Sequence, residues 1–275
     1  MALDDLGRLA SAVEDNWCDA WLSLGRLRVV PETHAEACPQ YVRVWTPGAP
    51  EMLLNIVMRF RSASEVHVAD IEQAIEPFRA NNLPFQWWLT PGTDPPDLRS
   101  SLRAIGMQTW GGSAAMTLNL TSWQATPPPL VPNAALRAVR SVEDGAQALD
   151  VICTVFSVPA GPMARWTIQN PAFTLYIGTL GDHVAAALAT LRQGKTIGFY
   201  HVATMPRARR RGLAGNLMAL ALRDAQSAGC TLATLTATPE ARHLYELLGF
   251  RACGSIEQWV PGSALSWQLM YGGAQ

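Results

Sequence analysis

Charge is scarce in this sequence: 16% of residues are Asp, Glu, Lys or Arg, and 21 basic against 22 acidic side chains leave a formal net charge of -1. A protein that wraps nucleic acid needs a broad basic face, so no nucleic-acid partner is expected and any basic feature must be local. Cysteines are few as well. Cys18, Cys38, Cys153, Cys230 and Cys253 are odd in number and scattered, without a C-x-x-C pair, which signals neither a disulfide framework nor a zinc site. His34, His67, His183, His201 and His243 never fall at metal-like spacing, so no metal is expected. No apolar run approaches the ~18 residues that span a bilayer. The opening MALDDLGRLASAVEDNW lacks the basic and apolar segments of a signal peptide, so a cytoplasmic protein without a membrane partner is expected. Neither G-x-x-x-x-G-K-[ST] nor G-x-G-x-x-G occurs.

What is present is apolar. With 275 residues, 49% of them hydrophobic and 10 Trp, the chain can bury the core of one large domain or two modest ones. The sharpest break in composition is TSWQATPPPLVPNAA, where Pro127, Pro128, Pro129 and Pro132 forbid a helix and favour a stiff connector. A boundary placed there gives domains at 1–126 and 127–275. After it, ALRAV reads as a strand and Ser141 as the cap of a helix running to about Phe156. FTLYIGTL, HVAAALATLR and TIGFYHVAT, separated by Gly-containing turns, read as an antiparallel meander.

The meander ends in ATMPRARRRGLAGNL, which gathers Arg207, Arg209, Arg210 and Arg211 before turning small and apolar. Leu213, Leu217, Leu220 and Ala221 then fall at helical spacing, with Gly229 as the stop. A helix start leaves backbone N–H groups unpaired and carries partial positive charge, so a strand, a basic glycine-containing turn and a helix form an anion site. Gly212 allows close backbone approach and Ala214 keeps the first turn uncrowded. A small polyphosphate suits this local cluster better than a polymer; taken alone it could also be a solvated loop, or touch RNA or an acidic lipid. TLATLT is the next strand, Thr238 and Pro239 can open a helix lined by Ala241, Leu244 and Leu248, and SIEQWV and SWQLMY supply closing strands.

The first half reads as an N-terminal helix, a strand at LLNIVMRF, an amphipathic surface helix over SEVHVADIEQAIEPFRA, a strand at FQWWLT and a short helix at PDLRSSLRAIGM. Pro96-Asp97-Leu98-Arg99 up to Gly106-Met107 echoes Pro239-Glu240-Ala241-Arg242 up to Gly249-Phe250 at equal spacing, with Leu102 where the second copy has Tyr245. Trp87, Trp88 and Trp110 read as core or interdomain packing, or as the lining of an acceptor pocket.

VATMPRARRRGLAGNL resembles the pyrophosphate-binding segment of the GNAT acyltransferases, [QR]-x-x-G-x-[GA] after the fourth strand, and ATPEARHLYELLGF resembles their later A-x-x-L-Y-x-x-x-G-F segment. The likeness covers roughly Ala135 to Tyr271; the first half is more weakly similar to a degenerate GNAT-like domain, and NIVMRFRSASEVHV has no glycine or arginine run that could hold a pyrophosphate. The resemblance implies an α/β (α+β) fold: a mixed, mostly antiparallel, splayed sheet flanked by helices, in two tandem domains. It implies acetyl-CoA, or a close relative, as acyl donor and an unidentified amine as acceptor, with direct attack through a tetrahedral intermediate.

By the same resemblance, main-chain groups of Val202, Ala203 and Thr204 would meet the pantetheine arm and polarise the thioester. Arg209, Arg210, Arg211, Gly212, Leu213, Ala214 and Gly215 would wrap the pyrophosphate. Tyr245 would lie near the sulfur as the acid. Thr238 stands where many members have Asn, so that cofactor contact is in question and the residue could simply cap its helix. His201 is the first candidate base, with Glu257 and an ordered water relay behind it. A non-catalytic acyl-CoA-binding or sensing protein is the alternative reading, and the oligomeric state, a homodimer included, stays open.

Overall fold

The computed structural model describes residues 3–27, 32–48, 51–62, 65–90, 95, 97–124, 126–157, 161, 167 and 170–262. The chain divides into two compact units, Met1–Ala115 with Cys253–Gln275, and Met116–Ala252. The expected strand SWQLMY lies outside the described residues.

The first unit contains α1 (Leu3–Leu27), β1 (His34–Ala37), β2 (Val42–Trp45), β3 (Ile56–Met58), α2 (Val68–Ala80), β4 (Gln86–Leu89) and α3 (Leu98–Ala104). It also holds the start of β5 (Met107–Asn119) and most of β11 (Arg251–Pro261). Its strands lie in the order β1-β2-β3-β4-β11-β5. β3 and β4 run parallel, from Ile56↔Gln86 to Met58↔Trp88, and α2 is the crossover between them. Ile71, Ala74, Ile75 and Phe78 recur at helical spacing along α2 and are buried, joining Phe60, Trp87, Leu98, Leu102 and Trp259 in one core. Each Ile, Leu or Phe side chain so removed from water contributes roughly 1.5–3 kcal/mol.

Two kinds of strand in this unit escape a sequence reading. β1 and β2 are short, four residues each. In β5 the stretch Gln108–Gly112 is exposed, so no alternation of apolar and polar residues marks it as a strand.

The second unit contains β6 (Ala134–Ala138), α4 (Val142–Phe156), β7 (Phe173–Leu180), β8 (His183–Gln193), β9 (Thr196–Thr204), α5 (Leu213–Ser227), β10 (Leu232–Ala237) and α6 (Pro239–Leu247). The strand order is β10-β9-β8-β7-β6. The expected meander is present: β7 pairs antiparallel with β8, and β8 with β9. Gly181 and Gly194 supply its turns at φ +59° and +57°. β9 and β10 are parallel, joined by α5. The unit as a whole is therefore mixed and mostly antiparallel.

α4 begins as its sequence demands. Ser141 is extended and its hydroxyl accepts from the Asp144 N–H at 3.0 Å. Ala148, Val151 and Ile152 then bury against Ile177, Ala187 and Ala203. α5 buries Leu213, Gly215, Leu217, Met218 and Ala221 and ends at Ala228, with Gly229 at φ +84°. Residues 126–132 of the proline-rich stretch are neither helix nor strand and lie inside the second unit.

Candidate active site

The parallel ladder between β9 and β10 is short. It runs from Leu232↔Thr196 to Thr234↔Gly198 and stops, although β9 continues to Thr204 and β10 to Ala237. On its other side β9 bulges: Ala187 faces Ala203 and Ala189 faces Tyr200, so His201 and Val202 together oppose Leu188. His201 adopts φ +52°, a left-handed value that a residue with a Cβ takes only under constraint. The consequence is a strand whose outer half, Phe199–Thr204, has left its parallel neighbour. Its main-chain groups on that side are available to an extended ligand. Ala203 is buried in the core, so it can offer a ligand only its backbone. The Thr204 hydroxyl is buried with no hydrogen-bond partner among the described residues.

β9 leads through a 3-10 turn at Pro206–Ala208 into the arginines. Arg210 and Gly212 take φ +60° and +77°, and Leu213 is helical. A left-handed residue followed by a helical one turns successive N–H groups to the same side, a concavity that accepts an anion, and here it opens directly into α5. Arg207, Arg209, Arg210 and Arg211 are exposed, and none forms an ion pair with a described residue. Arg209 Nε donates instead to the Thr204 carbonyl at 3.2 Å, tying the turn to the strand end.

The structure gives Gly212 a further reason to be glycine. A Cβ built there would lie 2.4 Å from the Pro129 carbonyl oxygen, so the space on that side is taken by the proline segment. Glycine is required for that approach and for its positive φ. Sequence reasoning also missed Asn216. Its Nδ2 donates to the carbonyls of Pro128 at 2.7 Å and Gly212 at 2.9 Å, the first across 88 residues of sequence that no local pattern connects.

α6 comes close to this turn: a Cβ on Gly215 would stand 3.5 Å from Leu244 Cδ1. The next residue, Tyr245, is buried, its ring 6.1 Å from that of Phe250. Burial pushes its phenol up to about 12, so it holds its proton throughout the neutral range. Thr238 takes the position before α6, yet its hydroxyl caps no helix N–H; it hydrogen-bonds the Glu240 carboxylate, which that bond and the Glu240 backbone hold below its usual range.

The base candidates part company. The His201 ring lies 6.3 Å from Phe156 and 6.5 Å from Tyr200, and burial lowers its pKa to about 4. Glu257 belongs to the first unit, where both its oxygens receive the Arg99 guanidinium at 2.9–3.2 Å and Oε2 also accepts from Trp259 Nε1 at 3.1 Å. Burial raises its pKa, but these bonds more than offset that and hold it below the usual carboxylate range. No group of His, Cys, Asp and Glu that could hold a metal ion occurs among the described residues. No helix among them is long and apolar enough to cross a membrane.

This architecture is shared by solved structures. The GCN5-related N-acetyltransferase from Kribbella flavida superposes with a TM-score of 0.67 at 20% identity, over 90% of this chain and 97% of that one. The GCN5-related N-acetyltransferase from Sphaerobacter thermophilus gives 0.60 at 14% identity, over 82% and 81%. A tandem GNAT protein from the clavulanic acid biosynthesis pathway gives 0.58 at 12% identity, over 94% and 96%. Identities this low establish the fold alone. Among curated proteins no sequence matches this chain. Residues 146–250, which include the bulged strand, the arginine turn and Tyr245, match the model of the Acetyltransferase (GNAT) family. Residues 146–250 of the chain therefore carry a GNAT acetyltransferase domain.

Proposed function

We propose that this protein is an acyl-CoA-dependent N-acyltransferase that acetylates a primary amine. One observation carries the reading: a strand freed from its parallel neighbour runs into a turn of converging N–H groups bearing arginines that pair with no acid among the described residues. Gathering those cations costs electrostatic repulsion unless an anion joins them, and a pyrophosphate fits both charge and size. The residues present thus suit acetyl-CoA, which would supply an activated acyl thioester. The division of labour follows the two compact units: Met116–Ala252 is the catalytic unit, and the other is a GNAT-like module without a donor loop.

In this reading Arg209 to Gly215 hold the pyrophosphate, and main-chain groups of Val202, Ala203 and Thr204 bind the extended arm beyond it. A strand N–H there stabilises the oxyanion that develops at the carbonyl. Tyr245, its proton retained throughout the neutral range, donates to the departing sulfur. His201 is neutral at pH 7, the state a base requires. Its basicity is too low to deprotonate a free alkylammonium near pKa ~10.4. The amine therefore enters neutral, and His201 accepts a proton only after the nitrogen has bonded to carbon and become acidic. Atoms balance as amine and thioester giving amide and thiol.

Calorimetric titration of acetyl-CoA into the wild type, Arg210→Ala and Arg211→Ala tests the donor. Each exposed guanidinium contributes ~1.5–3 kcal/mol when it bonds a charged oxygen, so the variants should bind about 10- to 100-fold more weakly. Equal affinity in all three proteins would remove the arginine turn from donor binding.

A further inference from the structure

The proline segment does more than connect. We propose that Pro128–Pro129 is a buttress of the donor cradle and that Asn216 is the positioning residue holding it in place; this rests on the donor reading above.

Three contacts converge. Asn216 Nδ2 bridges the Pro128 and Gly212 carbonyls, joining the segment to the residue whose left-handed conformation creates the anion nest. The Pro129 carbonyl occupies the side of Gly212 from which a side chain would project, 2.4 Å from where its Cβ would be. The Pro128 ring lies against Gly215 on the first turn of α5, with Cδ 2.9 Å and Cγ 3.1 Å from a built Cβ, at the spot where Leu244 of α6 also approaches. In a nest the N–H groups converge on one side while side chains project from the other, so the segment backs the turn and leaves the anion-binding side open.

Proline suits this work because it loses little conformational freedom on ordering and stays extended. Gly212, free to adopt many conformations, needs such a support if its N–H groups are to be aimed before the ligand arrives. Gly215 is then required for a second reason beyond helix packing: a methyl group there would push Pro128 away.

The test uses Asn216→Ala, the looser segment Pro128→Gly/Pro129→Gly, and the combination, each titrated with CoA. Asn216→Ala should weaken CoA binding about tenfold and raise the donor KM with kcat nearly unchanged. Its effect should shrink in the loosened background, because both changes act through one contact. Hydrogen exchange of the amides of Leu213–Asn216 in unliganded protein should speed up about tenfold in Asn216→Ala. Wild-type CoA binding with unaltered affinity and exchange in Asn216→Ala overturns the buttress while leaving the donor reading intact, as do effects of the two changes that simply add. Failure of the wild type itself to bind CoA overturns the donor reading and this inference together.

Discussion

At the scale of single residues, burial sets the protonation states on which the proposed chemistry depends. His201 has a folded pKa of about 4 against an ordinary 6.5, so the folded state refuses a proton that the unfolded state accepts. The stability contributed by the neutral ring is complete above pH 6.5 and is lost as pH falls toward 4, amounting in full to roughly 3 kcal/mol. Thermal melting from pH 7 down to pH 4 should therefore fall more steeply in the wild type than in His201→Phe. Parallel curves would show that the imidazole is not desolvated as described. Tyr245 shifts the other way, and its test is kinetic. Tyr245→Phe keeps the ring and its packing, so CoA affinity should persist while kcat drops about 100-fold, the usual scale of general acid catalysis. Unchanged turnover would favour a protein that binds acyl-CoA without needing this acid.

At the scale of elements, local signals and packing agree where burial is one-sided. Ser141 caps α4 through the Asp144 N–H, and Arg137 of β6 pairs with the Asp144 carboxylate at 2.7 Å, linking strand and helix. Ser141→Ala should lower stability by ~1 kcal/mol in a urea titration, with the unfolding slope unchanged. The bulge in β9 had no such signal. His201 and Val202 read as ordinary strand residues, and only pairing against Leu188 shows that the strand carries an extra residue. The same holds for β5, whose exposed middle has no pattern to read.

At the scale of the whole molecule, the echo between the two halves has a structural counterpart. β3, α2 and β4 form a parallel pair with a helical crossover, as do β9, α5 and β10, and each pair is followed by a helix ending before a glycine of positive φ, Gly106 or Gly249. The copies differ at the anion site. In the first, the Val66 N–H just before α2 is taken by the Asp97 carboxylate at 2.8 Å, and Asp70 adds an acid to the first turn. Leu102, fully buried, stands where the second copy has Tyr245. With its helix start already supplied with negative charge, the first unit should bind no donor. Titration should give one CoA per chain, and a stoichiometry of two would refute this assignment.

The amino-acid sequence alone determined the meander, the order of strand, arginine turn and helix, the resemblance to GNAT acyltransferases and the place of Tyr245. These rest on periodicity, turn residues and motif spacing, which are properties of neighbouring positions. Tertiary structure decided where β9 leaves β10, how strongly burial shifts His201 and Tyr245, and that Glu257 is engaged by Arg99 and Trp259. It also turned a stretch that reads as a linker into a partner of the arginine turn. Hydrogen-bond pairing, desolvation and close backbone approach depend on groups far apart in the chain, such as Pro128 and Asn216, and no local pattern encodes them.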